Sequence, residues 1–444
     1  MSAIRRVSSR VRRLYRRALL RPLPALLLFG SLTAVSNWLW YGGGPFLARG
    51  VGTALMLAFA LAAAAVLLAL GRGRGQLRAM TLLVVAAVAL PAVALIAYRL
   101  RSGAPLLMHD GAYQTEEAIR FLLSGRDPYG QDYALTSMRL WHWYVNQPID
   151  PALFHYVYYP LTFLLPLPFA LAAAALHLPF DVRLVSVAAI AATAGALLAM
   201  PWRWEWRWVA LCALFLDPFF FMAQGRNDVL WLGALTLGVL ATARGRTLLA
   251  SLAIGVAFAF KPFAIFFLAL QAIALLRTPG RARPALTAAA LALLALSALV
   301  TITPFWLWNP HAFWADTVAF VAGTDPHSYP MGGWGLAGIL LALHLVPNPH
   351  ASVPLGMVQA AVCLPALAWA GRRVWERPTM PRVLAGGTLV LALFLFCGRF
   401  LNDNYLAGLL YLAVLSGAAR RGTTSAARIA GATAGAPADR PVAA

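Results

Sequence analysis

Lysine is almost missing from this 444-residue chain: of its 36 basic residues, all but Lys261 are arginines. Acids are scarce as well, fifteen Asp and Glu in all. Charged residues amount to 11% of the chain, where a soluble domain carries about 25%. A sequence that is also 61% hydrophobic does not have the polar surface to cover a soluble core of this size. Cysteine occurs three times, as Cys212, Cys363 and Cys397, each inside an apolar run. These read as small core hydrophobes, and their spacing excludes a disulfide framework or a zinc site. A phosphate-cradling glycine motif, a His-Glu-x-x-His and a Ser-x-x-Lys are all absent, and each absence removes one familiar class of enzyme.

What is present is apolar length. Residues 51–70, 80–100 and 285–303 reach the roughly 18 residues that span hydrocarbon. A helical bundle in lipid suits such a chain, because each helix satisfies its own backbone hydrogen bonds. The fold class expected is therefore all-α, a polytopic membrane bundle of about 12 transmembrane helices. The net charge of +21 points at first to nucleic acid. The arginines, however, stand in short clusters between apolar runs: 5–21, 72–78, 244–246, 277–283, 372–382 and 420–421. That is the pattern of positive-inside loops, and no nucleic-acid partner is expected.

The clusters orient the chain. Residues 1–22 form a basic cytoplasmic N-terminus, and 25–41 reads as an uncleaved first helix. Helices over 51–70 and 80–100 leave 101–153 outside, a loop with six of the fifteen acids and a short surface helix at 116–123. Apolar segments at 154–176, 182–200 and 207–222 follow. Three crossings there would place Arg244 and Arg246 outside, so one of the three does not span, and the sequence does not say which. A helix over 229–243, a hairpin over 247–276 turning at Lys261-Pro262, and a run over 285–303 lead to a second outer region at 304–350. Its apolar stretch at 334–346 is expected to lie against the outer face. Helices at 352–370, 382–397 and 403–418 complete a membrane domain of 23–420, and a tail over 421–444 reads as disordered and cytoplasmic. No internal repeat is visible, which argues against inverted-repeat transporters.

Few residues remain to carry chemistry. Lys261 closes an apolar run just before Pro262. An ionisable group at bilayer depth costs about 2.5–3.5 kcal/mol, so Lys261 either snorkels to the interface or faces a phosphate. Asp110, about ten residues past the third helix, is either a solvated loop acid or a general base for a sugar hydroxyl. In Gln224-Gly225-Arg226-Asn227-Asp228 the last two residues suit an N-cap, and Arg226 suits bidentate phosphate pairing. Tyr156, Tyr158 and Tyr159 before Pro160 read as an interfacial belt or a site wall. Trp202, Trp204, Trp206 and Trp208 read as interface anchors. Asn402-Asp403-Asn404-Tyr405 opens the last helix, as cap or as cavity lining. His327 and Ser328 are weaker candidates, His155 weaker still. Asp110, Asp228 and Asp403 have the oxygen chemistry to hold a divalent metal, though nothing in their spacing requires one.

Several short motifs occur in a fixed order: Asp110, then Gly125-Arg126-Asp127-Pro128-Tyr129, then Tyr156-Val157-Tyr158-Tyr159-Pro160-Leu161, then Gln224-Gly225-Arg226-Asn227, then Lys261-Pro262. In this the chain resembles GT-C fold glycosyltransferases, and most closely glycosyltransferase family 87. It departs from the family at Leu161, where a second proline is usual, and in the loose His327-Ser328 to Gly335 stretch. The resemblance implies an inverting hexosyl transfer, mannose by default, from a polyprenyl-phosphate donor to a glycolipid or glycan at the outer face of the cell membrane. It implies Asp110 as base, with Lys261, Arg226 and His327 around the phosphate. Substrate contacts fall to Gln224, Asn227, Asp228, Tyr129, Tyr159 and Asn404. No cofactor is expected, and a metal is less needed for a monophosphate leaving group. A transporter or flippase of a lipid-linked sugar, or a non-catalytic assembly protein, are the alternative readings. The first would need carboxylates deep in the helices; the second would need neither Asp110 nor Lys261.

Overall fold

The computed structural model describes residues 92–103, 108–140, 153–215, 224–277, 284–325 and 328–434. The N-terminal helices expected before residue 92, His327, and the chain beyond 434 lie outside the described residues. What is described is all-α, apart from one pair of two-residue parallel strands, β1 (Gly332–Gly333) and β2 (Phe400–Leu401).

A helical stretch over 92–102 leads into α1 (Asp110–Leu123), which is longer than the surface helix expected there. Then come α2 (Leu167–Ala175), α3 (Arg183–Leu198), α4 (Trp204–Phe215), α5 (Asp228–Ala243), α6 (Thr247–Phe260), α7 (Ile265–Arg277), α8 (Pro284–Trp308), α9 (Leu355–Glu376), α10 (Met380–Phe396) and α11 (Asp403–Ala434). α8 and α9 are long and apolar enough to cross a membrane by themselves; six shorter apolar helices of 10–17 residues accompany them. The main apolar core joins α3 through α7 to α9, α10 and α11. α11 continues helically to Ala434, past the 403–418 helix expected from sequence. Its Ala-rich stretch favours helix.

The structure also says which apolar segment turns back. Tyr158, just before the 161–175 segment, packs on Gly111 of α1, and Val182, just after it, donates its amide to Glu116 of α1. The segment therefore leaves and returns to the same end of the bundle. α3, α4 and α5 make the three passes that follow, and Arg244 at the far end of α5 reaches the Ala199 carbonyl at the end of α3. Arginines gather at that far end, where Arg277 lies over Trp375 and Arg421 over Trp206.

The opposite end is tied by a buried ion network. Arg99 grips Glu116 with two hydrogen bonds of 2.8 and 2.6 Å and reaches Asp181 at 3.2 Å. Arg183, fully buried, closes on Asp181 at 2.6 Å. Breaking one member of such a network costs about 3–5 kcal/mol, because it strands a buried charge. The network fixes α1 against the start of α3, and so sets the floor on which the polar residues stand.

Candidate functional site

Asp110 is the first residue of α1. His109 caps the helix, its ring accepting the Gly111 amide at 3.0 Å. That places His109 Nδ1 2.5 Å from Asp110 Oδ1, which also receives the Gly111 amide at 2.5 Å. Burial works against the charged form of Asp110, but His109, the Gly111 amide and Arg226 outweigh it and hold its carboxyl below the usual carboxylate range. Gly111 has no side chain for a reason: a Cβ there would fall 2.1 Å from the Tyr158 hydroxyl.

The 224–228 segment is locked beside α1 by the His109 amide donating to the Gln224 carbonyl at 2.8 Å. Gly225 makes the turn, at φ +78°, with Arg183 and Ala112 packed where a Cβ would be. Arg226 emerges from it, steadied by Gln224 Oε1 at 3.0 Å and Asp403 at 3.5 Å. Asn227 occupies the cap position of α5 but makes no capping bond. Its neighbour Asp228 does not cap either. It takes the Lys261 ammonium at 2.5 Å, the Asn404 amide at 2.6 Å and the Trp231 indole N–H at 3.2 Å.

Lys261 owes its position to Pro262. A proline disfavours helical backbone in the residue before it, and Lys261 is extended, at φ −152° and ψ 132°. α6 stops there and the side chain turns to Asp228. The hydroxyl of Thr162 donates to the Phe260 carbonyl at the break. The ammonium lies 5.2 Å above both the Phe263 and Tyr405 rings, and Asn227 Oδ1 is 3.5 Å away. Of its three N–H groups, one is committed to Asp228 at short range. The His109–Gln224, Arg226–Asp403 and Lys261–Asp228 contacts, with Tyr405 under the ammonium, join these segments into one site.

Asp110, Gln224, Arg226, Asn227, Asp228, Lys261 and Asn404 are thus brought together. Three buried amide atoms of this group, Gln224 Nε2, Asn227 Nδ2 and Asn404 Oδ1, have no hydrogen-bond partner among the described residues. Buried polar atoms are rarely left so, and a hydroxyl-rich ligand would satisfy them. Tyr129 is placed elsewhere: 1% exposed, wedged among Tyr156, Phe163, Phe305 and Phe313, its hydroxyl given to the Tyr158 carbonyl. Tyr159 stacks on Phe313 and meets Phe258. Tyr158 is the tyrosine whose hydroxyl lies against Gly111, beside Asp110 at the start of α1. His155, the weakest sequence candidate, is held between Asp316 at 2.9 Å and Asp325 at 3.4 Å, and ties the 310–325 stretch to the chain just before Pro160. Asp316 sits in a π-helical turn, Ala315–Ala319, and also takes the Gly130 and Tyr156 amides.

Among the described residues the centre holds two basic side chains, Lys261 and Arg226, beside three acidic ones, Asp110, Asp228 and Asp403. Among those residues no group of three or more His, Cys, Asp or Glu is arranged to hold a metal ion. What the arrangement can do is take a proton at Asp110 while two cations attend an anion next to it. A family model described as glycosyltransferase family 87 matches residues 156–397, more than half of the chain. Asp110 and the Asn402–Tyr405 turn lie outside the matched stretch, and the folding of α1 and α11 onto it brings them to the centre. No curated protein matches.

Proposed function

The chain belongs to glycosyltransferase family 87, a helical, GT-C-type membrane glycosyltransferase, and from that premise we propose the following reaction. A hexose, mannose by the family's default, moves from a polyprenyl-phosphate donor to a hydroxyl of a glycolipid or glycan acceptor. The transfer inverts the anomeric centre, at the outer face of the cell membrane. Asp110 takes the proton of the acceptor hydroxyl as its oxygen attacks the anomeric carbon, and the lipid phosphate departs with the bonding pair.

The observation that carries the reading is the placing of a half-buried carboxylate, Asp110, in one site with two cationic side chains delivered by distant segments. Preorganised charge of this kind stabilises the developing phosphate without reorganisation during the reaction. Asp228, itself held by the Asn404 amide, keeps the Lys261 side chain in place, and beyond Asp228 and the long contact to Asn227 an ammonium proton is left for a phosphate oxygen. The arginine-rich far end supports a cytoplasmic orientation for it, which puts the site on the opposite side. No metal step is needed for a monophosphate leaving group.

The test is transfer of radiolabel from polyprenyl-phosphate mannose in membranes with wild type or Asp110→Asn. Loss of a general base lowers the rate by about 10²–10⁴-fold. A stably expressed Asp110→Asn protein with full activity would remove Asp110 from that role. A wild type that transfers no label would refute the donor class.

A further inference from the structure

A partly open cleft of about 450 Å³ lies between α4, α5 and α11, within the size range of small-molecule sites. Arg226, Asp228 and Asn404 line it where α5 and α11 begin. Leu232 follows one turn into α5, and Gly408 and Tyr411 follow one and two turns into α11. From Asn404 to Tyr411 is seven residues, about 10 Å of helix. Ala213 and Leu214 of α4 complete the wall. The Tyr411 hydroxyl is already engaged: Thr236 gives its proton to the Leu232 carbonyl at 2.7 Å, and so accepts from Tyr411 at 2.7 Å. The cleft is therefore charged where it meets the site and apolar below it.

Gly408 keeps the cleft open. It sits inside α11, and a Cβ there would meet only Leu232 Cδ1, at 3.7 Å. Neither a left-handed backbone nor a close approach requires glycine at this position, and glycine weakens a helix relative to alanine. What it supplies is space. An occupant has to set an anion beside Arg226, which Gln224 and Asp403 already orient, and apolar carbon against Leu214, Leu232 and Gly408. A sugar ring fails the second requirement, because these walls would leave its hydroxyls unpaired. Inorganic phosphate would bury none of the apolar wall. A prenyl phosphate has both parts in the right order, a charged head and then a slender hydrocarbon chain directed into the bundle.

We infer that the cleft between α4, α5 and α11 seats the isoprene units next to the phosphate of the donor lipid, and that Gly408 is the residue that admits them. This rests on the transferase reading above. It goes beyond that reading by giving the tail a path through named helices and by making Gly408 a specificity-determining residue for the tail.

The experiment uses the full chain in detergent with farnesyl phosphate, farnesol and inorganic phosphate as probes, read by the thermal stabilisation that a bound ligand confers. In a second arm, farnesyl phosphate carrying a diazirine on its middle isoprene unit is photolysed on wild type, and the labelled residues are mapped by mass spectrometry. Wild type should be stabilised most by farnesyl phosphate, and the label should fall around Ala213, Leu232 and Gly408. Gly408→Leu fills the cleft. It should raise the farnesyl phosphate concentration for half-maximal stabilisation about tenfold, the loss of about two buried CH₂ groups, and leave the response to inorganic phosphate unchanged. Equal stabilisation by farnesol or by inorganic phosphate, label confined to other helices, or Gly408→Leu responding as wild type would each overturn the assignment. The labelling arm needs no variant, so it decides even where Gly408→Leu does not fold. If wild type takes label in the cleft yet transfers no hexose from a prenyl-phosphate donor, the cleft stands and the transfer reading falls. If it transfers hexose with the label elsewhere, the transfer reading stands and the cleft falls.

Discussion

Gly225 offers the sharpest physical test of how the site is built. Alanine there faces two separate penalties. The backbone is left-handed, at φ +78°, which costs a non-glycine residue about 1–2 kcal/mol. The new Cβ would also stand 2.5 Å from Arg183 Cγ and 3.2 Å from Ala112 Cβ. Arg183 is fully buried and pinned to Asp181, so it has nowhere to swing, and overpacking of this kind costs about 1–3 kcal/mol. The two together come to about 2–5 kcal/mol. The protein can meet that only by losing stability or by moving the 224–228 segment off α1. Moving it would break the bond from the His109 amide to the Gln224 carbonyl and separate Arg226 from Asp110. Thermal unfolding in detergent and transferase rate should be measured together, with Gly195→Ala as control. Gly195 lies inside α3 with open space around it, and alanine there should stabilise by about 0.5–1 kcal/mol. Gly225→Ala should lose stability, activity or both. An unchanged melting temperature with full activity would refute the assignment of Gly225 as the joint between α1 and α5.

Other expectations follow from the charges. Lys261→Met should abolish transfer and, by stranding buried Asp228, cost about 3–5 kcal/mol; adding Asp228→Asn should return much of the stability in a melting assay while activity stays lost. Glu116→Gln should destabilise by a similar amount, since it removes the carboxylate between Arg99 and the Val182 amide; melting measured across salt should show little screening of so buried a network. Asp110 is depressed, so it stays ionised down through the ordinary carboxylate range, and its stabilising interactions are lost only as pH falls through that lowered value. The acid limb of the rate profile should accordingly lie below the usual carboxylate range, and a limb near neutrality would contradict this. Asp127 behaves oppositely: burial, only partly offset by the Tyr129 amide and reinforced by Asp316, pushes it up. Asp127→Asn should therefore raise the melting temperature at neutral pH, with the gain vanishing in acid where wild type is itself protonated.

Some of this was legible in the chain and some was not. Lys261 and Asp110 stood out because a rare charged residue in an apolar background has few explanations. Pro262 even told which way the backbone would turn. The three tyrosines before Pro160 could not be sorted, because the segment is irregular and no period assigns its faces. The structure turns Tyr156 into the core, Tyr158 to Gly111 and Tyr159 to Phe313. Hydropathy could not tell the returning segment at 161–175 from the crossing helices, since all are equally apolar; only the contacts of its two flanks with α1 decide. The Arg99–Glu116–Asp181–Arg183 network and the Asp316–His155–Asp325 clasp join residues far apart in sequence, and no local pattern announces either. Asn227 and Asp228 had a cap reading that the ammonium of Lys261 and the amide of Asn404 displaced.

A chain with a single lysine has a single ε-amine, and here that amine lies in the candidate site, against Asp228. Reductive methylation with isotopic formaldehyde would place its one side-chain label on Lys261 and leave every arginine untouched. The methyl resonance would sit over the Phe263 and Tyr405 rings, whose currents shift it away from solvent-exposed values. It would also sense the Asp228 carboxylate directly. Arrival of an anion at the ammonium would move that one line, giving a spectroscopic titration of the site in a protein otherwise too large and too apolar to assign.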